Sequence, residues 1–107
     1  MDTVSVKSFN FAKRIVKLYK YLKNVKKENI LSNQVLRCGT SIGANIAEAE
    51  QAQSRADFTS KMNIALKETA ETKYWLNLLR ETEYITEKES KSILNDCIEI
   101  EKCLYVL

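Results

Sequence analysis

Glu48, Glu68 and Glu71 are the side chains whose type and spacing could do chemistry. Glu68 and Glu71 stand three residues apart, on one face of a helix. With Glu48 from a neighbouring helix they could form an oxygen-ligand metal site or a general acid–base pair. The rest of the catalytic repertoire is missing. The chain contains no histidine, which removes the usual general base, the usual transition-metal ligand and the Glu-x-x-His pairs of di-iron helical bundles. No glycine-rich phosphate loop or nucleophile elbow occurs. Cys38, Cys97 and Cys103 form no C-x-x-C pair, and each sits in or beside an apolar pattern. They read as reduced core thiols. The expectation is a protein that is not an enzyme and holds neither metal nor cofactor.

The same carboxylates have a plainer use in pairing charge. Between Gln34 and Glu50, the residues Gln34, Arg37, Ser41, Asn45 and Glu48 recur every three or four positions and make one polar stripe on a helix. Beside it runs an apolar stripe of Val35, Cys38, Ile42 and Ile46. Arg37, Glu48 and either Glu71 or Glu68 are expected to form a partly buried network that fixes how helices or subunits meet, with Ser41 and Asn45 satisfying the remaining donors and acceptors. Such networks contribute more to specificity than to net stability, because desolvation offsets the Coulomb gain. Gly39, Gly43 and Ala47 form a bare flank on the same helix. Each helical glycine costs about 1 kcal/mol relative to alanine. Close approach of a neighbouring helix would offset that; a kink is the alternative.

Charge is distributed unevenly. The net charge is +3, yet residues 1–27 hold eight basic side chains against the single acid Asp2. Lys13, Lys17, Lys20 and Lys27 lie opposite the apolar seam of this segment, with Lys23 at its edge. A solvated lysine face is one reading. The other is a face that contacts phosphate, and the shortage of acids on this segment favours carrying it forward.

Four helices must position these residues. A hydrophobic fraction of 45%, a charged fraction of 29%, no proline and two glycines in 107 residues indicate one all-α domain. The seams predict helices over about 5–26, 31–51, 55–83 and 87–106. Phe11, Ile15, Leu18 and Leu22 recur at bundle spacing in the first, and Ile93, Cys97, Ile100 and Leu104 in the last. Ser32 or Asn29 is expected to cap the second helix and Ser54 the third, and Thr86 with Glu89 forms a capping box for the fourth. Short connections imply an antiparallel up-down-up-down four-helix bundle. Ile64, Trp75 and Leu78 lie off the inner seam of the third helix. Trp75 suits a subunit interface or a ring folded over the edge of its own core. No run is long and apolar enough for a membrane span, and no signal peptide pattern occurs, so a cytoplasmic protein is expected.

Gln34-x-x-Arg37, Ser41-Ile42-x-x-Asn45-Ile46-Ala47-Glu48 and Ile64-Ala65-Leu66-Lys67-Glu68-x-x-Glu71-Thr72-x-x-Trp75-Leu76, in this order, resemble the four helix bundle proteins of intervening sequences in bacterial 23S ribosomal RNA genes, with Ala49 standing where many relatives have glycine and Lys67-Glu68 where many have Gly-Ser. The chain is also similar to the accessory variability determinants of diversity-generating retroelements. The resemblance implies a ring-shaped homopentamer, with Gln34, Arg37, Ser41, Asn45, Glu48 and Glu71 as structural or interface residues. The retroelement proteins bind nucleic acid and a reverse transcriptase. Two functions are therefore expected: RNA or ribonucleoprotein binding through the lysine face, or scaffolding of a protein partner such as a reverse transcriptase.

Overall fold

The computed structural model describes residues 3–106; Asp2, the acid counted above, lies outside them. Four helices follow one another: α1 (Val4–Asn24), α2 (Leu31–Ala49), α3 (Arg55–Glu81) and α4 (Glu87–Tyr105). Each packs on its chain neighbours, and α4 closes the ring against α1. Paired residues give the directions. Gly39 faces Ile15 and Gly43 faces Ser8; Arg37 meets Glu71 while Glu48 meets Lys61; Lys7 meets Glu99 while Arg14 meets Asp96. A step forward on one helix is a step back on its neighbour, so directions alternate around the bundle. It measures 43 × 24 × 20 Å, and the 27 residues of α3, at about 1.5 Å each, run most of the long dimension.

The seams read from the sequence close on a common core. Phe11, Ile15 and Leu22 of α1, Ile42 of α2, Leu76 of α3 and Ile100 of α4 are nearly inaccessible to water. Among the described residues five hydroxyl side chains are buried; Ser8 Oγ donates to the Ser5 carbonyl, Ser32 Oγ to Glu28, Thr69 Oγ1 to Leu66 and Thr72 Oγ1 to Glu68, while Ser90 Oγ has no partner. These bonds avoid the cost of an unpaired buried polar group.

The glycines of α2 mark close approach rather than a kink. A Cβ on Gly39 would stand 2.8 Å from Ile15 Cγ1, and one on Gly43 would stand 3.3 Å from Ser8 Oγ. Helix α2 runs unbroken through both. Ala47, the third small residue of that flank, is exposed, so the close contact spans two positions only.

The helix ends show where local chemistry decided the boundaries. Thr3 Oγ1 accepts from Val6 N at 3.2 Å, Ser54 Oγ accepts from Asp57 N at 3.0 Å, and the Thr86–Glu89 capping box is complete. The start of α2 corrects the expectation. Neither Ser32 nor Asn29 caps it; the cap position is Ile30, without a side-chain bond. The Glu28 carboxylate serves instead, accepting from Ile30 N and Ser32 N, while Ser32 Oγ donates to the Glu28 carbonyl. Lys27 enables this arrangement. It takes a left-handed conformation, φ 57°, and Glu28 N bonds the Leu22 carbonyl across it at 2.9 Å, folding the carboxylate back over α2. Helix α1 therefore ends at Asn24, before Lys27. Glu83, φ 67°, plays the corresponding part after α3, with Tyr84 N on the Leu79 carbonyl and Glu83 N on the Arg80 carbonyl. That pair of bonds is the usual left-handed helix terminus, here made without glycine.

Candidate nucleic-acid interface

Helix α1 presents two kinds of cation. Lys7 and Arg14 sit seven residues apart on the side facing α4, where both are neutralised. Lys7 Nζ lies 2.7 Å from Glu99 Oε1. Arg14 donates to Asp96 Oδ2 at 2.6 Å and to Ser92 Oγ at 3.0 Å. These pairs bind α1 to α4, and the sequence reading missed them. The clue was available in the seven-residue spacing of the cations and the acids Asp96 and Glu99 three apart on α4.

The other cations face away from the core. Lys13, Lys17, Lys20, Lys23 and Lys27 are all exposed, and among the described residues no carboxylate lies within ion-pairing distance of any of them. Four belong to α1; Lys27 lies in the connection after it, one correction to the expected helix-one face. Aromatic rings are interleaved with these lysines. Lys13 Nζ stands 5.6 Å from the centroid of the Phe9 ring, and Lys23 Nζ stands 5.4 Å from that of Tyr19 while donating to its hydroxyl at 3.0 Å. Phe9 is 66% exposed. Lys13 and Lys17 also border a groove of about 480 Å³ between α1 and α4. Such a surface attracts polyanions, because among the described residues no acid pairs with these lysines; the groove's own acids, Asp96 and Glu99, are taken by Arg14 and Lys7.

The polar stripe of α2 has the opposite character. Arg37 bonds Glu71 Oε2 through Nη2, which also donates to Gln34 Oε1 at 3.2 Å. Its Nη1 stands 3.8 Å from Glu68 Oε2. Trp75 Nε1 donates to the same Glu71 oxygen at 3.0 Å. Trp75 is half-buried against the core of its own chain, and its neighbour Tyr74 is exposed. Asn45 Nδ2 donates to Ser41 O and Oγ, a bond inside α2 rather than to a neighbouring helix. Glu48 does not join Arg37. It pairs with Lys61 at 3.0 Å, since eleven residues of helix separate it from Arg37 by about 16 Å.

The two acids beside Arg37 are displaced in opposite directions. The Trp75 indole N–H and the Arg37 guanidinium hold Glu71 below the usual carboxylate range. Burial, reinforced by the charge of Glu71, raises Glu68, whose side chain is 18% exposed and whose Oε2 accepts no hydrogen bond. Among the described residues no three His, Cys, Asp or Glu side chains converge to hold a metal ion. No helix among them is long and apolar enough to cross a membrane.

A family model described as 23S rRNA-intervening sequence protein matches residues 3–106. A crystal structure of a protein of unknown function, from the S23 ribosomal protein family of Bacteroides thetaiotaomicron VPI-5482, is similar over 96% of this chain and 92% of that one. The two share 63% sequence identity and superpose with a TM-score of 0.95. No curated protein matches the sequence.

Proposed function

The chain belongs to the 23S rRNA-intervening sequence protein family, and we propose that it is a non-enzymatic, homo-oligomeric bundle of the cytoplasm that binds RNA or ribonucleoprotein through the lysine face of α1. One observation carries this reading: Lys13, Lys17, Lys20, Lys23 and Lys27 are exposed on a surface without a partner acid among the described residues. Phosphates would supply the missing charge and release their counterions on binding. The free thiols suit a reducing compartment.

Assembly into a ring of five would repeat the lysine face and raise avidity. The flank of α2 and α3 suits a subunit contact, because it joins the half-exposed Arg37 and the unbonded Glu68 oxygen to the exposed Ile64 and Tyr74.

A salt titration of RNA binding, followed by fluorescence anisotropy, tests the reading. Wild-type affinity should fall steeply with salt. The triple variant K13Q/K17Q/K20Q should bind at least about tenfold more weakly, with a log–log salt slope smaller by roughly 2. Light scattering should return five protomer masses for both. Unchanged RNA binding by the triple variant would remove the lysine face from the account, and a monomer mass would remove the ring. Salt-insensitive binding of a protein such as a reverse transcriptase would favour a scaffold instead.

A further inference from the structure

Phe9 stands out on the lysine face of α1. It is 66% exposed, and its neighbours on the outer side of the helix are Lys13, one turn on, and the half-exposed Val6, one turn back. Lys13 Nζ lies 5.6 Å from its ring centroid, a cation–π distance. One ammonium covers little of a phenyl ring, and most of this one remains in water. Phe11, two residues on, is buried, so the bundle already has its aromatic for this level of the core. An exposed ring beside unpaired ammonium groups combines the two features that bind single strands: an aromatic platform for a base and cations that track the backbone. A duplex could use only the cations, because its bases are already stacked on one another and A-form RNA offers proteins chiefly phosphates and 2′-hydroxyls.

A second copy of this chain presenting the same face is a poor occupant of this surface. Packing two such faces together would set Lys13, Lys17 and Lys20 against their equivalents, with no acid among the described residues of this face to separate them. The charge complements a polyanion, and the ring complements a base.

We propose that the outer face of α1 takes single-stranded RNA, with one base stacked on Phe9 and the phosphates that follow it held by Lys13, Lys17 and Lys20. The inference rests on the lysine-face reading of function and adds to it the form of RNA and the residue that selects it.

The test compares an RNA strand of about ten nucleotides, free and annealed to its complement, binding to wild type, Phe9→Leu, Phe9→Tyr and Lys17→Gln. Phe9→Leu keeps apolar bulk and removes the π face. It should weaken single-strand binding by about fivefold to a hundredfold and leave duplex binding within about twofold, while Phe9→Tyr stays near wild type. Lys17→Gln should weaken both forms. If wild type binds both forms equally and Phe9→Leu changes neither, base stacking is overturned while the lysine face stands. If neither Phe9→Leu nor Lys17→Gln changes any RNA binding, both readings fall. A smaller oligomer for Phe9→Leu in light scattering would make the ring a contact between copies and also overturn the proposal.

Discussion

The α2–α3 flank and the outer face of α1 are both rich in charge, and they treat it in opposite ways. On the flank, Arg37 is matched to Glu71 and Glu68, and Lys61 to Glu48. On the outer face, Lys13, Lys17, Lys20 and Lys23 follow one another at three or four residues, where like charges on a helix oppose each other by about 0.2–0.5 kcal/mol per pair. Charge consumed inside the fold positions helices; charge left over is available to a ligand. A count of basic residues hides this division, since Lys7 and Arg14 belong to the first class although they share a helix with the second.

The contrast is open to disruption from either side. Arg37→Met should have the largest effect, lowering stability by about 1–2 kcal/mol in urea denaturation because it strips partners from Glu71 and from a desolvated Glu68. Lys20→Met should change stability by no more than about 0.5 kcal/mol. Equal midpoints for the two variants would erase the distinction.

A pH series sharpens the comparison further. The pKa of Glu71 is lowered in the folded state, so its contribution is present above the ordinary value of 4.5 and is lost as pH falls through the depressed one. Glu68, raised by burial, has the opposite sign: its desolvated charge opposes folding at neutral pH, and that opposition fades as acid protonates it. In Glu71→Gln, the loss of stability below pH 4.5 should be shallower than in wild type, measured by denaturation midpoints at stepped pH. In Glu68→Gln, the stability that wild type gains as Glu68 is protonated between its raised value and 4.5 should be missing, a difference that falls above pH 4.5.

An effect of reversed sign is expected at Lys27. A lysine at φ 57° holds a conformation that glycine adopts more easily. Lys27→Gly should raise stability by about 0.5–1 kcal/mol while reducing the salt slope of RNA binding by roughly 0.7. A gain in stability with no change in the slope would assign Lys27 to the turn alone.

Periodicity made the four helices legible, because the residues that pack inward recur with the helical turn: Phe11, Ile15 and Leu22, or Ile93, Cys97 and Ile100. Local motifs were legible too; Thr86 and Glu89 form their box wherever the chain goes next. The pairing of Arg37 with Glu71 followed from facing stripes. The choice of Lys61 by Glu48 did not, because it depends on the axial register between two helices. The cap of α2 was hidden for a related reason. Glu28 reaches back only because Lys27 turns left-handed, and a lysine carries no signal for that conformation. Exposure of Phe9 was legible but went unread: four residues before Lys13, it falls on the face opposite the Phe11–Ile15 seam.

Cys97 has a consequence of another kind. Its thiol is fully buried, donates to the Thr69 carbonyl at 3.6 Å and is pushed up to about 12, chiefly by burial. Burial also raises Cys38, whereas Cys103 is only half-buried. Alkylating reagents attack the thiolate, so in the native fold Cys103 is the accessible target while the other two stay silent. The delay before Cys38 and Cys97 react therefore times how often the bundle opens, a clock written into the chain without any added probe.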